Sequence, residues 1–284
     1  MRRPFVVGLL AVLVAATGTW TAASVFAQTR AHHEQASPSS ASSAPADQPH
    51  KGYMPGSARR SASGASTASR PSEVLDLHNW YLTLPTGSSG EPDTVRQPQL
   101  IGYSSPFFQL DPSRDGVVCT SNAGGVTTAN SSYPRAELRE MDGDKLASWS
   151  NESGTHTLEV RQAVTQLPKA KPEVVTAQIH DTKSDVMEVR LEGGRLIGRY
   201  ADGKQSFTID PDYVLGTPYD LRIVAAGGRI DVWYNGNHAG GLSQSGSGWY
   251  FKTGSYLQSN TDRGDAADAV AKVVLYSVAV SHSG

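Results

Sequence analysis

Three short stretches of this chain carry polar side chains at alternate positions. "YPRAELRE" (133–140) sets Arg135, Glu137 and Arg139 on one parity and Ala136 and Leu138 on the other. "AQIH" (177–180) pairs Gln178 with His180 and leaves Ile179 opposite them. "WYFKTGSYLQ" (249–258) groups Tyr250, Lys252, Gly254, Tyr256 and Gln258 against Phe251 and Leu257. In a β-strand, period-2 alternation sends the apolar set to a core and the polar set to one outer face. If the three rows are neighbours, they form a cationic groove lined by amide, imidazole and phenol. Arginine grips carboxylates through paired hydrogen bonds, so the groove suits an extended, carboxylate-bearing polymer. Gly254 would leave room for the close approach of that ligand. Taken alone, 133–140 also reads as a solvated strand face with cross-strand ion pairs, and spacing does not establish adjacency.

The elements that must hold these rows are visible along the chain. "NWYLTLP" (79–85) reads as a strand ended by its proline, and "AKVVLYSVAVSH" (271–282) as a final strand. "HTLEVRQAV" (156–164) alternates Leu158 and Val160 with Glu159 and Arg161. The segment 187–210 divides into three strands at Gly193-Gly194 and Asp202-Gly203. The segment 219–241 repeats that pattern at Gly227-Gly228 and Asn235-Gly236. Such two-residue turns are strong local hairpin signals. No segment sustains a helical period over three turns, and only short helices are expected near "PSEVLDL" (71–77) and "DRGDAADA" (262–269). Many short antiparallel strands predict an all-β domain, a β-sandwich or jelly roll, with one sheet face free for ligand.

The N-terminal part is of another kind. Met1-Arg2-Arg3 precedes the apolar run 5–18, and "SVFA" (24–27) offers Val25 and Ala27 to a signal peptidase. This predicts a secretory signal peptide over 1–27, read by the Sec route or, given Arg2-Arg3, the twin-arginine route. The run is short of the roughly 20 residues of a membrane span. No membrane association is expected once the signal is cut. Residues 28–72 are rich in Ser, Ala and Pro and predict a disordered linker, so His32, His33 and His50 are set aside. The folded domain is expected over 73–284. A single cysteine excludes an intramolecular disulfide, and Cys119 in "DGVVCTS" reads as a buried strand residue. A net charge of −2 argues against a polybasic nucleic-acid binder. No His-x-His pair or carboxylate cluster has metal-ligand spacing, so no metal or other cofactor is expected.

Together and in this order, the three stretches resemble the alginate lyases of polysaccharide lyase family 7. That family carries an R-(S/T)-E-L-R-E strand, a Q-(I/V)-H strand and a Y-F-K-A-G-x-Y-x-Q strand, here "RAELRE" (135–140), "QIH" (178–180) and "YFKTGSYLQ" (250–258). "LDLHNWYLTLPTG" (75–87) and "LYSVAVSH" (275–282) are similar to its first and last strands, so the resemblance spans 75–284. It implies a β-jelly roll, a two-sheet antiparallel β-sandwich, with the active site on its concave sheet. It implies β-elimination on alginate: the proton leaves C5 of a 4-O-linked uronate, the C4–O bond breaks and a C4=C5 double bond forms. Arg135, Gln178 and His180 match the positions that neutralise the uronate carboxylate. Tyr256 matches the catalytic tyrosine, acid toward O4 and base for mannuronate, with His180 as the base for guluronate. Arg139, Glu137, Lys252, Tyr250 and Gln258 fall to substrate binding, Glu137 by orienting the arginines. Ala136, Thr253 and Leu257 depart from the family pattern; Leu257 replaces a frequent asparagine, which would alter contacts beside Tyr256. Ile179 points to guluronate-containing substrates. The implied partner is an anionic uronate polysaccharide, acted on by a monomer. Two readings remain beside this one: a lyase of another uronan such as glucuronan, and a non-catalytic carbohydrate-binding β-sandwich carried on the linker.

Overall fold

The computed structural model describes residues 66–284. The expected signal peptide and most of the expected linker lie outside the described residues. The strands in chain order are β1 (Trp80–Ser88), β2 (Glu91–Val95), β3 (Phe108–Leu110), β4 (Val117–Asn122), β5 (Arg135–Asp142), β6 (Lys145–Leu146), β7 (Thr155–Gln166), β8 (Glu173–His180), β9 (Asp185–Glu192), β10 (Arg195–Tyr200), β11 (Gln205–Asp210), β12 (Tyr219–Ala226), β13 (Arg229–Tyr234), β14 (Asn237–Ser243), β15 (Tyr250–Leu257) and β16 (Val270–Ser283). They form the two antiparallel sheets of a jelly roll. The larger has the order β11-β10-β9-β8-β15-β5-β1-β2, with β6 paired to β5, and the smaller β14-β13-β12-β7-β16-β4-β3. The glycine turns fall where the sequence sets them. Gly227 and Gly228 (φ +55° and +74°) and Asn235 and Gly236 (+50° and +82°) take the left-handed conformation that tight hairpins demand.

The two sheets bury their strands differently. Along β12, Tyr219, Leu221, Ile223 and Ala225 are buried while the residues between them are not, the pattern of a sheet with one wet face. β5, β8 and β15 are buried on both faces. Their apolar parity, including Ala136, Leu138, Ala177, Ile179, Phe251 and Leu257, joins Trp80, Phe108 and Tyr219 in the core between the sheets. Their other parity is covered by its own long polar side chains. Cys119 sits in β4, fully buried, and burial pushes its thiol upward, away from nucleophilic use.

A bulge sets which β8 side chains face outward. Val175 stands opposite Tyr256 and Arg190, and Ala177 opposite Thr253 and Val189, so the ladder skips Thr176 on both sides. Thr176 turns inward, where its hydroxyl accepts a hydrogen bond from Gln162 (3.1 Å). After that slip, Gln178 and His180 stand opposite Lys252 and Tyr250.

Some boundaries differ from expectation. β1 continues through Pro85: its pairing with β5 stops at Thr83 and that with β2 skips to Gly87, so no ladder N–H is needed at the proline. Order begins before Glu73. Ala68 and Pro71 are buried, Pro71–Glu73 forms a 3-10 turn, and the Glu73 carboxylate accepts from Ser69 and Arg70. The last residues of the expected linker therefore belong to the domain. The second expected helix is a 3-10 turn at Thr261–Arg263, and a four-residue helix at Gln99–Gly102 was not foreseen. Nor was β2, an exposed edge strand whose Pro92 hides it from pattern reading.

Glu140, last residue of "RAELRE", ties the sheets at one end. It is fully buried, and its Oε2 accepts from the Phe251 backbone N–H (2.8 Å) and from Trp149 Nε1–H (3.0 Å). Its Oε1 lies 2.6 Å from Nε2 of His282 on β16, whose other nitrogen meets His156 of β7 at 2.7 Å. Glu140→Ala orphans the buried Phe251 N–H and the half-buried Trp149 Nε1–H at about 1–3 kcal/mol each, so urea unfolding should show a loss of about 2–6 kcal/mol at constant slope.

Candidate active site

The site grows from the central position of β15, which pairs with β5 on one side and β8 on the other. Lys252 stands beside Arg139 and Gln178, Tyr256 beside Arg135, and Tyr250 beside His180. All three sequence stretches thus meet on one face. At the middle, Glu137 faces Gly254 across the ladder. The Gly254 backbone has φ +136°, and a Cβ there would stand 2.6 Å from the Ala136 carbonyl oxygen. The glycine is required by the β5 backbone, not by room for a ligand as its place on the polar parity suggests.

Glu137 is 1% exposed, and its carboxylate is a hub. Oε2 takes Lys252 Nζ at 2.5 Å and Arg135 Nη1 at 3.3 Å, and Oε1 accepts from the Gln178 side-chain amide. Burial opposes its charge, but Lys252 and Arg135 outweigh that and hold its carboxyl below the usual carboxylate range. The acid expected to orient the arginines holds Arg135, and with it Lys252 and Gln178, the donors that face the groove. Burial first, then the repulsion of Arg135, pushes Lys252 down to about 8.

Around Tyr256 the Arg135 guanidinium lies 3.7 Å from the ring centroid, a cation against a π face. The Tyr256 hydroxyl is 3.0 Å from Ser131 Oγ, which also accepts from Arg135 Nη2 (3.1 Å) and from the Tyr133 N–H (3.1 Å). Ser131 fixes where the phenol points. Sequence reasoning missed it, because it sits in the loop before β5, where no period marks it.

His180 Nδ1 is 2.5 Å from the Asp181 carbonyl oxygen and 3.1 Å from the Tyr250 hydroxyl. The carbonyl can only accept, so Nδ1 carries the proton and Nε2 keeps its lone pair. Burial and then Lys252 hold the imidazole below its usual range, which keeps it neutral. Arg139 packs its guanidinium 3.7 Å from the Tyr250 ring centroid, and its Nη1 donates to the Glu140 carbonyl. Gln258 lies just beyond β15, 4% exposed, and its Oε1 accepts from Arg190 Nη1 at 3.1 Å, so it holds a cation at the end of the face. Leu257 is fully buried in the core, so its departure from the family pattern leaves the surroundings of Tyr256 unchanged. Glu188 and Arg190, both on β9 and nearly buried, share this face and were missed, since "MEVRLE" reads as an ordinary half-wet strand.

Fold and side chains together define a polysaccharide lyase: a jelly roll with a sheet face of anchored cations, amide, imidazole and phenol, shaped for an anionic sugar polymer. The family described as alginate lyase matches residues 75–282, and the chain belongs to it. The alginate lyase AlgAT5 of polysaccharide lyase family 7 shares 46% identity and a TM-score of 0.73, over 76% of this chain and 100% of that one. An alginate lyase from Corynebacterium sp. shares 42% identity and a TM-score of 0.73, over 75% of this chain and 98% of its own. A family 7 alginate lyase in complex with the substrate GGMG is 29% identical with a TM-score of 0.64, over 76% of this chain and 97% of that one. An alginate lyase of Klebsiella pneumoniae is 35% identical over 75 residues, 25% of this chain and 24% of that protein. That match spans about a quarter of the curated relative's length.

The hub and the serine can be separated by kinetics. Glu137→Ala should lower kcat/KM by about 10²–10³, since it releases Arg135, Lys252 and Gln178 at once. Ser131→Ala removes the hydroxyl that meets the phenol, Arg135 and the Tyr133 N–H, and should lower kcat by about 3–10-fold with little change in KM. A Ser131→Ala loss seen in KM alone would contradict its role at the phenol.

Proposed function

We propose that this protein is a secreted alginate lyase that cleaves guluronate-containing alginate by β-elimination. The supporting observation is the convergence of Arg135, Gln178, His180 and Tyr256 on one face, with a lone pair left on His180 and a serine aligning the phenol. The difficulty of the reaction is acidity. Removing the C5 proton places further charge on a group that is already a carboxylate. Arg135 and the free N–H of the Gln178 amide supply donors for that charge, and such pre-set donors are worth about 10²–10³ each in rate. For guluronate, neutral His180 takes the C5 proton at Nε2 while Tyr256 gives its proton to the leaving O4. For mannuronate, whose H5 lies on the other side, Tyr256 serves as base beside the Arg135 cation. Arg139, Lys252 and Tyr250 hold neighbouring sugars. The signal-like segment 1–27 supports export, and residues 28 to about 65 would then tether the mature domain.

Ultraviolet absorbance of the unsaturated product tests the reaction. The protein should release it from alginate and polyguluronate; no absorbance from any uronan, glucuronan included, would sink the proposal. Tyr256→Phe should lower kcat by about 10²–10⁴ with oligosaccharide binding retained. His180→Ala should cost more on polyguluronate than on polymannuronate, and equal losses would exclude two separate bases. A further expectation concerns pH. Lys252, pushed down to about 8, loses its charge as pH rises past that value, so KM for the polyanion should climb in alkali. Lys252→Arg, which stays charged, should remove that climb.

A further inference from the structure

Glu188 lies on β9, opposite Gln178 of β8 and Arg199 of β10, on the face that carries Lys252 and Glu137. It is 7% exposed, yet among the described residues no hydrogen-bond donor reaches its carboxylate. The Arg190 guanidinium comes no closer than 3.7 Å and is committed elsewhere: to Glu173, to Gln258 (3.1 Å) and to Glu192 (3.1 Å). Arg199 donates to Glu192 at 3.3 Å. Asp185 on its own strand and Glu137 on β5 add negative charge around it. His180 is neutral, and Lys252 is engaged by Glu137. A carboxylate largely withdrawn from water and without donors is disfavoured as the anion. Burial first, then Asp185, accordingly pushes Glu188 up to about 7.

The neighbour across the ladder decides what this side chain meets. Gln178 is a carboxylate-binding residue in the proposed reaction, so a uronate seated there brings a second negative charge beside Glu188. Two carboxylates that share a site keep one proton between them. We propose that Glu188 is a substrate-contacting residue that meets a uronate carboxylate as the neutral acid. Its O–H donates to a carboxylate oxygen, and an ionised Glu188 takes one proton from solvent as the sugar binds. No bond other than O–H is made, and the substrate is otherwise unchanged. The proposal rests on the groove holding a polyuronate, and it adds proton-coupled recognition to that reading.

Calorimetry on the full chain carrying Tyr256→Phe, with alginate oligosaccharide at about pH 7.5 in two buffers of different ionisation enthalpy, reads the proton directly. Net uptake is expected, and Glu188→Gln in the same background should abolish it while oligosaccharide binding stays measurable, because the amide N–H can still donate to the uronate. In the active enzyme, KM should rise about fourfold between pH 6 and 7.5 while kcat does not follow, and Glu188→Gln should flatten that rise. An equal rise or equal uptake in Glu188→Gln would overturn the proposal. Should the variant fail to fold, the Tyr256→Phe protein still decides, because binding without buffer-dependent heat overturns it as well. Absence of unsaturated product from every uronan sinks the lyase reading instead, and oligosaccharide binding with proton uptake remains readable in that case.

Discussion

One buried carboxylate organises the polar face. Glu137 stands in the middle of the larger sheet, almost without solvent, where an unpaired charge costs several kcal/mol. It is tolerable only because Lys252, Arg135 and Gln178 all turn to it. The dependence runs both ways. Three cations, Arg135, Arg139 and Lys252, are crowded onto adjacent strands, and without an acid among them they would repel one another. On β5 and β15 one acid stands against three cations, which leaves that part of the face short of negative charge. A uronate carboxylate is the natural complement to that shortfall, and the donors that meet it are already held in place. Such prior ordering makes donors effective, because no reorganisation remains to be done when charge develops.

The sheet turns that electrostatic arrangement into geometry. A central strand has neighbours on both sides about 4.8 Å away, so β15 can set Tyr256 against Arg135 and Tyr250 against His180 without any loop. Gly254 lets the β5 and β15 backbones close at the level of Glu137. The bulge at Thr176 is equally necessary. Without it, one residue of slip would carry Gln178 and His180 to the core and Ile179 to the groove.

Much of this was legible in the sequence, because strand alternation has a period of two and survives in short segments. Arg135, Glu137 and Arg139 could be placed on one face, and Gln178 and His180 on another, before any contact was known. What alternation does not encode is who pairs with whom. It could not show that Glu137 gathers Lys252 and Gln178 as well as Arg135, or that Gly254 answers to the neighbouring backbone. Nor could it show that Gln258 serves Arg190. Ser131 lies in a loop, which has no period. The bulge leaves no mark either, since Val174, Val175 and Ala177 are all apolar and allow any register. Glu188 and Arg190 alternate with Val189 and Leu191 as any solvent-facing strand would. Only the cover from adjacent strands makes them buried.

The two acids opposite the substrate cations show how strongly partners, more than burial, decide ionisation. Glu137 and Glu188 are 1% and 7% exposed on the same face. Glu137 has three donors and is held ionised below the usual range, whereas Glu188 has none among the described residues and is pushed up to about 7. Lys252 is pushed the other way, down to about 8. The positive balance of the face is therefore greatest below neutrality, where Glu188 is uncharged and Lys252 is charged. It falls in two steps as pH rises, first when Glu188 ionises and then when Lys252 is neutralised. Neutral His180 is needed for proton removal and is favoured in the opposite direction. Affinity for a polyanion and availability of the imidazole base thus draw toward opposite sides of neutral pH. The face can satisfy both only in the window above the depressed pKa of His180 and below the ionisation of Glu188.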